Sequence, residues 1–400
     1  MKFATRPIDP LADPLARAPD LVWMSPEVSL WGWGEAARLH PGSGSSRIQV
    51  LRDEWTNLIG DADVSDPIGR PGSGPVLFGS LTFAIGSGGS MGIVPQVVVV
   101  RAGEEWWMTT VDGAEFPSSP PGSEPVADRA RYAGSSVPDV RWLEAVAEAI
   151  DHIESGFVEK VVLARDYAVW SREPFHPPRL LRHLHDRFPG CHVFRVADLV
   201  GASPELLSRR RHDRFESLVL AGSAPSFQDR AADEAAAMSL LESKKDQWEH
   251  ELAVRSVREA LATTAVEPEF DSQPAILRLD NVQHLATRVT GPVPASVDVL
   301  SLVETLHPTA AVGGNPVERA LELIGALEGM DRGRYAGPVG WSDGRGDGEF
   351  AIALRCAELS GARARLFAGA GIVSGSLPEA ELEETRLKLQ AMMGALEASG

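Results

Sequence analysis

The sequence predicts an α+β fold, and three observations predict it. Runs rich in β-branched and aromatic residues, separated by Gly/Ser turns, cover Val76–Phe83, Ile93–Arg101 and Glu105–Val111 and read as an antiparallel meander. Helical periodicity is clear beyond residue 140, where Trp142, Val146, Ile150 and Ile153 recur at the spacing of one helix face. Strong strand patterns then return among the helices, at Phe157–Val169 and Gly348–Glu358.

The elements are expected in this order. Residues 1–75 are rich in Pro and Gly, with short strands at Leu21–Met24 and Arg47–Leu51 and a loop at Gly69–Pro75. After the meander, 113–138 reads as a polar, Pro-rich connector. A helix runs from about Val140 to Gly156, then the strand Phe157–Val169. Cys191–Val200 is a strand leading to Gly201-Ala-Ser-Pro-Glu205, and Phe215–Pro225 is strand then loop. One long helix is expected from Asp233 to Thr263, with Met238, Leu241, Trp248, Leu252 and Leu261 as its apolar stripe. Leu277–Thr290 is a strand pair or one bent strand. A helix from Val297 ends at Leu306, and a tight loop, Val312–Pro316, precedes another that runs to about Met330.

Gly348–Glu358 alternates as one strand. Phe350, Ile352, Leu354 and Cys356 take one face, and Ala351, Ala353, Arg355 and Ala357 the other, where a lone Arg among alanines leaves room for a ligand. The stretch Leu366–Lys388 begins apolar and breaks at Gly369 and Gly371, which free backbone for close approach. It restarts as a helix with Ser376 as N-cap, Pro378 in the first turn and Glu379 completing a Ser-x-x-Glu capping box. Glu381, Glu384 and Lys388 then share a face.

Composition narrows the function. The 400 residues carry a formal net charge of −18, which argues against nucleic acid and anionic membrane as partners. An anionic substrate would therefore need cations concentrated locally. Two cysteines, Cys191 and Cys356, exclude a disulfide framework and a Cys-rich zinc site. The residues Met1–Pro10 lack a signal peptide's apolar region, and no apolar run reaches the ~18 residues a membrane helix needs, so a cytoplasmic location is expected.

Several residues could carry chemistry. Lys160, in a β-branched run, either snorkels at the strand start or sits in a dry pocket where it could serve as a general base; the strand alone favours snorkelling. Glu205 either caps a following helix or is a protonated acid in an apolar pocket. Glu249 is a solvated carboxylate unless paired with Glu384, when the two would suit a hard cation such as Mg²⁺. His284 and His307 read as structural or hydrogen-bonding groups. No phosphate loop, dinucleotide fingerprint, zinc motif or nucleophile elbow is present.

Taken together, Lys160–Arg165, Ser203–Leu207, Leu220–Pro225, Glu242–Leu252, Asn281–Thr287, Leu306–Thr309 with Ala311–Gly314, Tyr335–Trp341, Gly346–Glu349, Ala353–Arg355 and Leu366–Lys388 resemble the chorismate-utilising enzymes, in that family's order. The resemblance covers about residues 140–397 and is nearest the isochorismate synthases. It implies one chorismate-binding domain over 1–400, with 1–138 its β-rich N-terminal part and 140–397 the catalytic core. The fold would be that of anthranilate synthase component I, with two stacked, antiparallel-rich sheets flanked by helices.

The resemblance also implies a site. Glu249 and Glu384 would hold Mg²⁺ against the ring carboxylate of chorismate, with Glu381 second to them. Arg355, Tyr335, Lys388 and the Gly369 amide would take the enolpyruvyl carboxylate. Gly222 and Ser223 would line the ring, with His284 beside it. Lys160 would activate water for attack at C2, and Glu205 would protonate the departing C4 hydroxyl. The lysine at 160 points to water rather than ammonia, so no glutaminase partner is expected, and a monomer is. Ala311 stands where salicylate synthases tend to carry Thr. Ala310 departs from the family's usual Pro. Salicylate synthesis, by later loss of pyruvate, is the alternative reading, and a non-catalytic chorismate sensor is another.

Overall fold

The computed structural model of the chain describes residues 1–117 and 130–399. These form two sheets, of 13 and 10 strands, with eight α-helices around them. Pairing is antiparallel throughout the described residues except where Lys2–Pro7 meets Asp63–Ser65. The α+β expectation with two antiparallel-rich sheets is therefore met. The middle of the predicted connector, 118–129, lies outside the described residues.

One core joins Trp23, Leu30, Phe194 and Leu199 of the larger sheet to Leu77, Phe78, Trp341 and Phe350 of the smaller. A second lies where Leu180 and Leu184 of helix Pro177–Arg187, and Leu389, Met392 and Leu396 of helix Pro378–Ser399, pack with Val193, Val200 and Leu366 of the larger sheet. Apolar residues at i and i+4, or i, i+3 and i+7, put one stripe of each helix on the sheet.

Three of the crossings from one sheet to the other bear on the sequence reading, and two of them split a stretch read as one strand. Ile93–Arg101 is two strands, Met91–Val94 in the smaller sheet and Val97–Ala102 in the larger, parted at Pro95-Gln96. Gly348–Glu358 is likewise two: Gly348–Ile352 in the smaller sheet and Cys356–Ser360 in the larger. Arg355 sits in the turn between them, in the left-handed region at φ 44°, so it is not on a strand face. The third crossing lies between Leu199–Ser203 and Leu206–Arg211, and Glu205 is in it. Gly348–Glu358 alternates with period two straight through its crossing, which is why the sequence pattern missed that break.

Other expectations also change. Arg47–Leu51 is the start of helix Arg47–Gly60, whose buried Ile48, Leu51 and Trp55 follow helical spacing. The expected long helix is two, Arg230–Glu242 and Lys244–Leu261, parted at Ser243, whose hydroxyl accepts from the Asp246 amide as an N-cap. Met238 and Trp248 are 55% and 38% exposed, while Ala237, Leu240, Leu252 and Leu261 face inward. No helix follows Glu205 for it to cap. Ser376 does not cap helix Pro378–Ser399; its hydroxyl accepts from the Val373 amide, and Glu379 is exposed. Leu277–Thr290 is a strand pair, Ala275–Arg278 with Val282–Pro292.

Candidate active site

The two crossings that hold Glu205 and Arg355 run side by side. Gly201 pairs with Cys356 in one sheet and Leu206 with Ala351 in the other. Across the gap, the Ile352 amide donates to the Glu205 carbonyl at 3.1 Å and the Ala202 amide to the Arg355 carbonyl at 3.1 Å. A side chain on Gly201 would come within 2.6 Å of Cys356 Cβ, so glycine lets the crossings approach. An acid and a guanidinium distant in sequence thus share one cleft of about 600 Å³, mouth included.

Arg355 is oriented by His284, whose Nε2 lies 2.7 Å from Nη2. Guanidinium only donates, so Nε2 accepts, and the proton sits on Nδ1, 3.2 Å from the Gly222 carbonyl and 3.1 Å from Ser223 Oγ. Burial, then Arg355 and Lys388, hold the imidazole well below its usual range, so it is neutral. Gly222 has φ 76° in a bulge of strand Arg214–Pro225. That conformation suits glycine and turns its carbonyl and Ser223 to the histidine. Tyr335 is stacked on Phe367, ring centroids 5.0 Å apart.

Glu205 is buried, and burial pushes its carboxyl up to about 8 despite the opposing pull of Lys160, Arg355 and Lys388. It is therefore a protonated acid at neutral pH. Lys160 is 0% exposed, so it does not snorkel. Its Nζ lies 3.1 Å from Glu249 Oε1, on helix Lys244–Leu261. Burial alone would raise Glu249, but Lys160, Lys245 and Lys388 outweigh it and hold the carboxylate ionised. The same Oε1 occupies the space over Gly371: an added Cβ would stand 2.1 Å from it.

Helix Pro378–Ser399 supplies the other wall. Lys388 Nζ contacts Glu384 Oε1 at 2.5 Å and donates to the Gly369 carbonyl at 3.0 Å. This is the i,i+4 pair the sequence suggested, but largely buried, with side chains 14% and 22% exposed. Glu381 is not solvated: it is 1% exposed and paired with Lys245 at 2.7 Å. Burial and then Glu384 push it up.

Val162, Ala311, Gly369 and Gly371 also line the cleft; Lys160 and Glu384 contact lining residues, and Glu381 lies one contact further out, on Lys245. His307 lies elsewhere, buried with Nε2 3.3 Å from the Phe83 carbonyl. Lys245 and Asp246 were missed as site residues. The signal was Ser243-Lys-Lys-Asp246, an N-cap sequence that starts a new helix and puts Lys245 in its first turn.

A protonated acid, a buried lysine, paired carboxylates and a fixed guanidinium in one cleft define an enzyme that works on a small anion. Comparison with known proteins narrows that class. Residues 114–397 match the family described as chorismate binding enzyme. The salicylate biosynthesis isochorismate synthase of Pseudomonas aeruginosa is 34% identical over 443 aligned positions, covering 100% of this chain and 90% of that protein. The structure of the menaquinone-specific isochorismate synthase of Escherichia coli superposes with TM-score 0.79 at 24% identity, over 98% of this chain and 94% of that one. Anthranilate synthase component I of Streptococcus pneumoniae superposes with TM-score 0.71 at 20% identity, over 92% of each chain. These two establish likeness of fold. The chain belongs to the chorismate-binding enzymes.

Proposed function

We propose that the chain is a Mg²⁺-dependent isochorismate synthase. The observation that carries the reading is the pairing of a buried, protonated Glu205 with a buried Lys160 about one cleft. In this reading Lys160 acts as the neutral amine, taking a proton from water as the oxygen bonds to C2. Both ring double bonds shift, C1=C2 to C1=C6 and C5=C6 to C4=C5, the C4–O bond breaks, and Glu205 gives its proton to the leaving hydroxyl. One water enters and one leaves. Arg355, held by His284, takes the enolpyruvyl carboxylate with Tyr335, Lys388 and the Gly369 amide, while Gly222 and Ser223 flank the ring. The relative that is 34% identical over the whole chain carries the same activity in its name.

The residues fit a Mg²⁺ ion. Glu249 and Glu384 offer hard oxygens, and the carboxylates around them repel one another: after burial, Glu249 and Glu384 both push Asp246 up, and Glu384 pushes Glu381 up. A divalent ion would relieve that repulsion and supply positive charge opposite a substrate carboxylate. Among the described residues no group of three or more His, Cys, Asp or Glu side chains is placed to hold a metal, so its other ligands would be water and substrate. No helix of the described residues is long and apolar enough to cross a membrane.

The test is incubation with chorismate and Mg²⁺, with products separated by chromatography. Isochorismate is expected, and no aminated product when ammonium is added. Salicylate with pyruvate as main product would reassign the chain to salicylate synthesis. No turnover would sink both. Chelation with EDTA is expected to abolish turnover and added Mg²⁺ to restore it. Lys160→Ala is expected to slow turnover roughly a thousandfold, within the range of general-base contributions, while still binding chorismate by calorimetry. Unchanged turnover would remove Lys160 from the mechanism.

A further inference from the structure

The strand Lys160–Trp170 pairs along its whole length with Arg363–Val373 on one side. Among the described residues its other edge pairs with strands only at its ends, with Gly314–Asn315 at Lys160 and Val161 and with Arg131–Gly134 at residues 168–170. Between these, the outward backbone groups need other partners, since buried amides and carbonyls left unpaired are costly. A single ion pair supplies two of them. The Ala164 amide donates to Glu328 Oε1 at 2.7 Å, and Arg332 Nη2 donates to the Val162 carbonyl at 2.7 Å. Arg332 Nε holds Glu328 Oε2 at 2.9 Å, and both side chains are about 2% exposed or less.

The same guanidinium reaches a second wall of the cleft. Arg332 Nη1 donates to the Val312 carbonyl at 2.8 Å, and the guanidinium carbon lies 4.1 Å from the centroid of Phe83. Val162, Ala311 and Val312 all line the cleft. One planar cation therefore spans the strand that begins at Lys160 and the loop that carries Ala311.

From this geometry we propose that Glu328 and Arg332 are positioning residues for the reaction. They replace the missing strand and set the spacing between the Lys160 strand and the Ala311–Val312 loop. Neither touches the cleft itself. The proposal rests on the reading of Lys160 as the base. Guanidinium is needed because its fork donates to two carbonyls while holding a carboxylate, which an ammonium cannot do with the same directionality. A shift of about 1 Å in a reacting group can cost roughly a hundredfold in rate.

The test compares Glu328→Gln, Arg332→Lys and the double variant Glu328→Gln/Arg332→Met. The double variant leaves no lone buried charge and keeps an acceptor for the Ala164 amide. Each is measured for kcat and KM with chorismate and Mg²⁺ and for amide exchange. We expect kcat to fall roughly 10- to 100-fold with KM within about threefold. We also expect faster exchange confined to 160–166 and 311–314, and Arg332→Lys to retain more activity than the double variant. Folded variants with unchanged kcat, whatever their melting temperature, would overturn the proposal. If single variants fail to fold, the double variant decides on the same criterion, and its failure to fold would mark the pair as purely structural and overturn the proposal too. Lys160→Ala retaining full turnover would instead defeat the mechanistic reading and leave the clamp without a base to position.

Discussion

Glu205→Gln is expected to gain stability and lose turnover. The carboxyl is buried, and burial pushes it up to about 8 from an ordinary 4.5. A group whose folded pKa is raised binds protons more tightly folded than unfolded. Its contribution is most favourable below about 4.5, erodes as pH rises, and is fully lost above about 8. At pH 7 the cost is about 3 kcal/mol, at roughly 1.4 kcal/mol for each pH unit above the unfolded value. Glutamine fills the same space without that cost. The urea midpoint of the variant is therefore expected above the parent's at pH 7, the gap widening from pH 5 to 8. Turnover is expected to fall about a thousandfold, because an amide gives no proton to a leaving hydroxyl. In the parent, kcat/KM is expected to decline as pH rises through about 8, where the acid form is lost. A variant no more stable than the parent would show that Glu205 is not held protonated. Retained activity would show that it is not the acid.

Gly371→Ala is expected to be as damaging with no charged group removed. The new methyl would stand 2.1 Å from Glu249 Oε1 and 3.2 Å from Lys160 Cε. Glu249 is fixed on a helix, so either the carboxylate rotates away or strand Arg363–Val373 shifts. Mg²⁺ affinity by calorimetry and kcat are each expected to fall by roughly a hundredfold or more, in line with a displacement of about 1 Å at a reacting centre. Gly394→Ala is the matched control. It lies in helix Pro378–Ser399 with nothing within 4 Å of an added Cβ. It should gain about 0.5–1 kcal/mol from helix propensity and leave kinetics unchanged. Equal kinetics for the two variants would mean the contact at Gly371 is not part of the site.

These two residues also show how far the sequence could be read. Gly371 was expected to free backbone for a ligand; the structure shows that its missing Cβ makes room for Glu249. Glu205 was expected either to cap a helix or to be a protonated acid, and only its burial in a crossing between sheets chooses the second. Likewise the strand alone favoured snorkelling for Lys160 over a dry pocket, because strand pattern says nothing of what covers a strand's first residue. Its neighbour Glu249 comes from a helix far along the chain.

The sequence by itself determined the chemical inventory: the order of motifs, the i,i+4 pair Glu384–Lys388, the glycines, and the absence of a zinc or nucleotide-binding motif. Those are local properties, set by residue type and spacing. The tertiary structure decided the rest. Alternation of period two continues unbroken through Arg355 while the chain leaves one sheet for the other, so no local pattern marks that crossing, and none says that Pro204-Glu205 lies beside it. Only pairing between distant strands places the two crossings side by side. Acid, guanidinium and lysine meet there because the hydrogen-bond ladders of two sheets are in register, which is a property of the folded chain and of no segment within it.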